Sequence, residues 1–163
     1  MKETKIEIVG VLFAKLKPGK DEVFADIGCG GGAVSKFFSG YVRRVYAVER
    51  DESMFQKAKE NLKYNKTIEV VLSDGYDFLK DYSCDTIFFG GTKDIERMLE
   101  VCDARKIAVN AARMEIALKA MEKMKSMGIF EEMLIINISK SYELAGGTAF
   151  KPLNPVFMVL GRC

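Results

Sequence analysis

Val23-Phe24-Ala25-Asp26-Ile27-Gly28-Cys29-Gly30-Gly31-Gly32-Ala33 decides the fold of this chain. Five residues with strand preference run into a cluster of four glycines, and the segment beyond, with Phe37 and Phe38, suits a helix. Glycines are needed where a chain leaves a strand in a sharp turn, and where a ligand must reach the backbone with no Cβ in the way. A strand, a glycine loop and a helix in that order mark the cofactor end of a doubly wound sheet.

The rest of the chain repeats the unit. Strand-like runs recur at Arg44 to Val48, Ile68 to Leu72, Thr86 to Phe89 and Lys106 to Asn110, each followed by a polar or helical stretch. Such alternation implies βαβ units and a parallel sheet. Residues 5–16 predict an N-terminal helix ended by Pro18-Gly19, and Asp51 caps a predicted helix reaching Tyr64. A third helix, Arg113 to Met127, carries a methionine stripe better suited to core packing than to a binding surface, and stops at Gly128. Two last runs, Met133 to Ser139 and Val156 to Leu160, are joined by a glycine-containing loop with no room for a crossover helix, which predicts an antiparallel hairpin.

Composition narrows the chemistry. The 163 residues suit one domain, and 25 basic against 23 acidic residues leave a net charge of only +2, which argues against a nucleic-acid partner held by bulk electrostatics. No apolar run reaches the roughly 20 residues of a membrane span, and no signal peptide is recognisable, so a cytoplasmic protein with no membrane partner is expected. Cys29, Cys84, Cys102 and Cys163 are scattered without Cys-x-x-Cys spacing and are expected to be reduced. The chain has no histidine. This removes Ser-His-Asp and Cys-His catalysis and the His-containing zinc sites, and no metal is expected.

Gly28, Gly30 and Ala33 satisfy the dinucleotide pattern G-x-G-x-x-G/A, but two features turn the reading elsewhere. Asp26 stands where a dinucleotide strand keeps an apolar residue, and its carboxylate can accept loop amides or a ligand ammonium group. The chain also lacks length for a second substrate domain. Glu49 follows Gly28 by 21 positions at the end of the second strand, where an acid accepts both ribose hydroxyls; the bland alternative is a solvated acid paired with Arg50 or Lys57. Ser73-Asp74-Gly75 after the third strand suits an adenine amino group, or a simple helix cap.

Together, Asp26-x-Gly28-x-Gly30-x-Gly32, Glu49, Asp74 and the closing hairpin resemble the class I S-adenosylmethionine-dependent methyltransferases over nearly the whole chain. That resemblance implies a Rossmann-like α/β fold: a seven-stranded, mostly parallel sheet of order 3-2-1-4-5-7-6, strand 7 antiparallel, helices on both faces. Within that superfamily the chain is most similar to the cobalt-precorrin-6B C(15)-methyltransferases (decarboxylating) of anaerobic cobalamin biosynthesis. The stretches that carry this are Thr4-Lys5, Val45-Tyr46-Ala47-Val48-Glu49-Arg50, Gly90-Gly91-Thr92, Val109-Asn110-Ala111, Ile136-Asn137-Ile138-Ser139-Lys140, Gly147-Thr148 and Asn154-Pro155-Val156. Gly31 and Ala33 depart from the family's usual Thr and Gly, and the family usually carries a longer segment ahead of Thr4.

The resemblance implies S-adenosylmethionine as methyl donor, bound by Thr4, Asp26, Gly28, Cys29, Gly30, Gly31, Gly32, Glu49, Asp74 and Gly75. It implies a cobalt-precorrin tetrapyrrole as acceptor, contacted by Gly91, Thr92, Asn110, Lys140, Gly147 and Thr148, with methylation at carbon-15 and loss of the ring C acetate. No catalytic side chain is assigned. Arg113, Lys93, Lys140 and Lys151 are candidate cations for the substrate carboxylates. The family also implies a homotetramer, with Phe150, Phe157 and Met158 as candidate interface or core residues. The competing reading, an RNA or tRNA methyltransferase, requires a basic stripe and is disfavoured by Gly90-Gly91-Thr92 in place of Asn-Pro-Pro-Tyr or Asp-Pro-Pro-Tyr after the fourth strand; a noncatalytic binding module is disfavoured by the intact glycine loop.

Overall fold

A computed structural model describes residues 3–163. Its elements follow in the order α1 (Ile6–Leu16), β1 (Val23–Ile27), α2 (Ala33–Phe38), β2 (Arg44–Glu49), α3 (Glu52–Leu62), β3 (Ile68–Leu72), α4 (Gly75–Asp81), β4 (Thr86–Phe89), α5 (Ile95–Val101), β5 (Lys106–Ala111), α6 (Met114–Ser126), β6 (Phe130–Ile136), β7 (Ser139–Leu144), β8 (Gly147–Pro152) and β9 (Val156–Arg162). Seven strands form one sheet of order β3-β2-β1-β4-β5-β9-β6. The first five run parallel, and β9 lies antiparallel between β5 and β6. This is the expected class I methyltransferase sheet, with β9 as its antiparallel seventh strand.

Strand alternation divides the core by face. Phe24, Val45, Phe88, Ala108 and Met158 pack beneath α1 and α2, against Ile8, Leu12, Val34 and Phe38. Ala25, Ile27, Ile87, Phe89, Ile107, Val109 and Val159 face α4, α5 and α6 through Phe78, Leu79, Met98, Leu99, Ala117 and Met124. Both faces are covered, which is why the central strands read as near-continuous apolar runs. The methionine stripe is core in part: Met124 is fully buried, whereas Met114 is exposed.

The closing segment departs from expectation. Its last two sheet strands do pair antiparallel, but the first spans Phe130–Ile136 rather than Met133 to Ser139. Glu131 and Glu132 hid its start, and a register shift between Phe130 and Glu132 breaks the simple alternation. The connection is not an irregular loop. Ser139–Leu144 and Gly147–Pro152 form a separate two-stranded antiparallel ribbon, closed by Ala145 and Gly146 at φ 50° and 79°. Two residues at positive φ make a turn whose twist matches that of the strands. Every residue of β7 is exposed, so no apolar alternation marked it in the sequence. Phe157 and Met158 are core, and Phe150 stays 66% exposed.

Candidate functional site

Three contiguous clefts open at the carboxyl ends of the parallel strands, and Gly90 lines all three. The loop after β1 is shaped by what it touches. Gly28 has φ +77°, and a Cβ there would stand 2.5 Å from the Gly91 nitrogen, so the β1 and β4 loops meet backbone to backbone. The Ile27 carbonyl accepts both Gly90 N–H (2.9 Å) and Gly91 N–H (3.0 Å), fixing that contact.

Glu49 is 3% exposed and gathers the loop around its carboxylate. Its Oε2 accepts from Gly30 N–H (3.0 Å), and its Oε1 accepts from Arg50 N–H (2.9 Å) and Asp51 N–H (3.0 Å). It pairs with neither Arg50 nor Lys57; backbone amides take the place of a cation. The first cleft, about 260 Å³, runs past Glu49 to Ser73, Asp74 and Gly75 and back to Gly91, Thr92 and Lys93. Asp74 does cap α4, its Oδ1 accepting Tyr76 N–H (2.8 Å), yet it stays exposed on the cleft wall.

The second cleft, about 90 Å³, is lined by Glu3, Thr4, Asp26, Gly28, Cys29, Gly30, Gly31 and Phe88 among others. Asp26 is 1% exposed, and its Oδ2 accepts from Ser35 N–H (3.1 Å) and Ser35 Oγ (2.7 Å). Burial pushes its carboxyl up to about 7; the Ser35 hydrogen bonds oppose that shift and the Glu49 charge adds to it. Burial, then the charges of Asp26 and Glu49, push the Cys29 thiol up as well, so it is no nucleophile. The third cleft, about 450 Å³, is built by the segment before α1, the end of β5 and the chain from Lys151 to Val156. Asn110 lines it, and its Oδ1 is buried without a hydrogen-bond partner among the described residues. Buried acceptors are rarely left so.

Known proteins can be set beside this geometry. A sequence profile described as precorrin methyltransferase domain matches residues 2–161. The chain belongs to the precorrin methyltransferase family.

An Archaeoglobus fulgidus relative named "Probable cobalt-precorrin-6B C(15)-methyltransferase (decarboxylating)" is 54% identical over 161 residues, covering 99% of this chain and 98% of that protein. A Methanosarcina acetivorans protein of the same name is 36% identical, covering 98% and 92%. Among solved structures, one described as precorrin 8W decarboxylase from Methanobacterium thermoautotrophicum superposes with TM-score 0.91 at 26% identity, over 100% of this chain and 93% of that one. This precorrin methyltransferase uses S-adenosylmethionine as its methyl donor.

The residues present fit that donor. The methyltransferase holds a cleft walled by carboxylates of Glu49 and Asp74, suited to ribose hydroxyls and an adenine amino group, and beside it a buried carboxyl, Asp26, with no cation paired to it among the described residues. An ammonium group answers that lack.

Of the residues singled out in the sequence, Thr4, Asp26, Gly28, Cys29, Gly30, Gly31, Glu49, Asp74 and Gly75 line the first two clefts, and Asn110 and Lys151 the third. Gly32 lines none of them; at φ +89° it opens α2 against Leu62. Gly91, Thr92 and Lys93, expected toward the acceptor, border the first cleft, because the β4 loop folds back onto Gly28. Lys140 lies outside all three, held by Glu7 at 3.1 Å, and Gly147 and Thr148 sit at the ribbon's turn end, also outside them. Arg113 is exposed at the start of α6 and lines none. Leu153 was missed as a site residue, and Lys5, singled out only beside Thr4, lines the third cleft. Asn154-Pro155 stood out in the sequence without a role, and the fold brings it to the third cleft.

Proposed function

We propose that this methyltransferase, acting as one unit over residues 1–163, methylates carbon-15 of cobalt-precorrin-6B and releases the ring C acetate as carbon dioxide, in cobalamin biosynthesis. The observation that carries the reading is the third cleft: it shares Glu3, Thr4, Phe88 and Gly90 with the Asp26 cleft, so an acceptor lying there borders the donor site directly. S-adenosylmethionine, when bound, supplies a methyl group on a positively charged sulfur. Glu49 would take the ribose hydroxyls, Asp74 the adenine amino group, and Asp26 the ammonium.

The protein's own part is positional. Thr4 and the glycine loop hold the donor side, Asn110 and the chain around Asn154 the acceptor side, and Phe88 and Ile8 keep the space between them dry. Orientation and exclusion of water supply the acceleration in such a site. The two half-steps balance in charge. Carbon-15 would form its new bond to the donor's methyl carbon as the carbon–sulfur bond breaks, its electron pair staying on a sulfur that leaves as a neutral thioether; the carbon–carbon bond to the departing carboxylate breaks with its electron pair left in the macrocycle as carbon dioxide departs. No external oxidant or reductant is required, and none of these steps calls for histidine, which the chain lacks.

The reading also takes the enzyme to be cytoplasmic, in keeping with four free cysteines, and homotetrameric. Tyr142, Leu144 and Phe150, exposed on the ribbon, support self-association and are open to test by analytical ultracentrifugation. Mass spectrometry of the product after anaerobic incubation with S-adenosylmethionine and cobalt-precorrin-6B tests the reaction itself. Gain of one methyl with loss of carbon dioxide is expected. An unchanged tetrapyrrole, in a sample that binds the donor, overturns the assignment.

A further inference from the structure

Two cations of the third cleft make no direct ion pair among the described residues, although the charge of Glu7 is felt at Lys5. Lys5 immediately precedes α1 and Lys151 lies on β8, so they enter the cleft from different elements. Among the described residues neither joins an ion pair, whereas Lys140 rests on Glu7, Lys15 on Glu132 and Lys106 on Glu22. Deeper in the cleft the lining is apolar: Ile8 is 2% and Phe88 1% exposed, with Val156 beside them and Asn110 as the polar group. One carboxylate, Glu3, also lines the cleft, but it belongs equally to the donor side and lies against Gly31.

We propose that Lys5 and Lys151 form a two-point clamp for peripheral carboxylates of the acceptor, holding them at the solvent side so that the acetate to be lost lies on the apolar floor. The proposal rests on the substrate reading given above. Its physical reason is the change of charge along the reaction. A carboxylate that leaves as carbon dioxide sheds its negative charge, so a lysine bound to it stabilises the starting state more than the transition state and slows the step. A dry, uncharged floor does the opposite. Carboxylates that do not react gain from a cation at every stage, and lysine, a point charge on a flexible stem, accommodates their varied positions. The partition also sets orientation, since only the edge of the macrocycle carrying the reacting groups can face inward while two other carboxylates are held outside.

The clamp is tested with a probe that cannot react, a free-base porphyrin octacarboxylate titrated by fluorescence into protein saturated with S-adenosylhomocysteine. Lys5→Gln and Lys151→Gln are each expected to weaken binding about fivefold and together about 25-fold, with a flatter salt dependence. Lys66→Gln, at the opposite end of the sheet, leaves binding unchanged, and all variants keep their affinity for S-adenosylhomocysteine. With cobalt-precorrin-6B, the lysine variants raise KM and leave kcat within about twofold of the parent, the split expected when uniform binding is lost. A double variant that binds the porphyrin with parental affinity and salt dependence overturns the clamp. If the parent protein fails to turn over cobalt-precorrin-6B while porphyrin binding still depends on both lysines, the substrate assignment falls and the clamp stands.

Discussion

On the donor side of Gly90, the carboxylates of Glu49 and Asp26 already accept from five of the protein's own donors; on the acceptor side, among the described residues, Asn110 Oδ1 accepts from none and the Lys5 and Lys151 ammonium groups have no acceptor. The first region is therefore finished before any ligand arrives, and a rigid loop loses little further freedom when one binds. The second is finished by its substrate. A site that handles one invariant donor gains from being built in advance, and a site that must seat a large polyanion gains from leaving its polar groups available.

Asp26 gives the largest expected way to break this contrast. Its folded carboxyl titrates near 7 against an ordinary value of 3.8, so between about pH 4 and 7 the unfolded chain has lost a proton that the folded chain keeps. Stability contributed by this group thus falls as pH rises through that window, by up to about 4 kcal/mol. Asp26→Asn, which can still accept from Ser35 but has no proton to lose, is expected to remove this slope. Chemical denaturation at pH 5 and pH 8 should show the variant gaining on the parent only at the higher pH, while isothermal titration shows it losing S-adenosylmethionine affinity. Equal pH slopes in the two proteins would mean that Asp26 is already charged in the fold.

Gly28→Ala comes next. The new methyl group would meet Gly91 at 2.5 Å on a backbone that disfavours side chains. A loss of about 3 kcal/mol in stability is expected, with donor binding abolished in the same titration. A variant that still binds the donor tightly would show that the β1 and β4 loops separate more readily than their shared bonds to Ile27 suggest.

Asn110→Ala acts on the other region. It should lower kcat about 30-fold, roughly 2 kcal/mol, with folding stability almost unchanged because the amide oxygen has no partner to lose. A stability loss in thermal melts without a change in turnover would reverse that assignment. Smallest is Phe150→Ser on the exposed ribbon, expected to shift chain stability by less than about 0.5 kcal/mol while sedimentation reports a smaller assembly.

The same contrast explains what the sequence disclosed. The donor side was legible because its parts are local or fixed by strand ends: the glycines follow β1, Glu49 ends β2 and Asp74 follows β3, and parallel strands bring all three to one edge. The acceptor side is assembled from residue 5, residue 110 and residues 151–156, which no spacing rule connects. The ribbon was hidden for another reason. Hydrophobic alternation reveals only strands with a buried face, and β7 has none. Lys140 looked like a substrate cation from its motif alone; only the fold shows that Glu7 already neutralises it.

The placement of β9 sets an order of events during synthesis. The strand that joins β5 to β6 is formed by Val156–Arg162, 45 residues after β5 ends at Ala111. At roughly 5–20 residues per second, a growing chain spends a few seconds with the edge of β5 open and β6 without its partner. The five parallel strands can gather with their helices in that interval, but the sheet closes only as the last strand inserts. An unpaired edge of that kind invites pairing with other chains, so β9 acts as the seal on the sheet once it has been made.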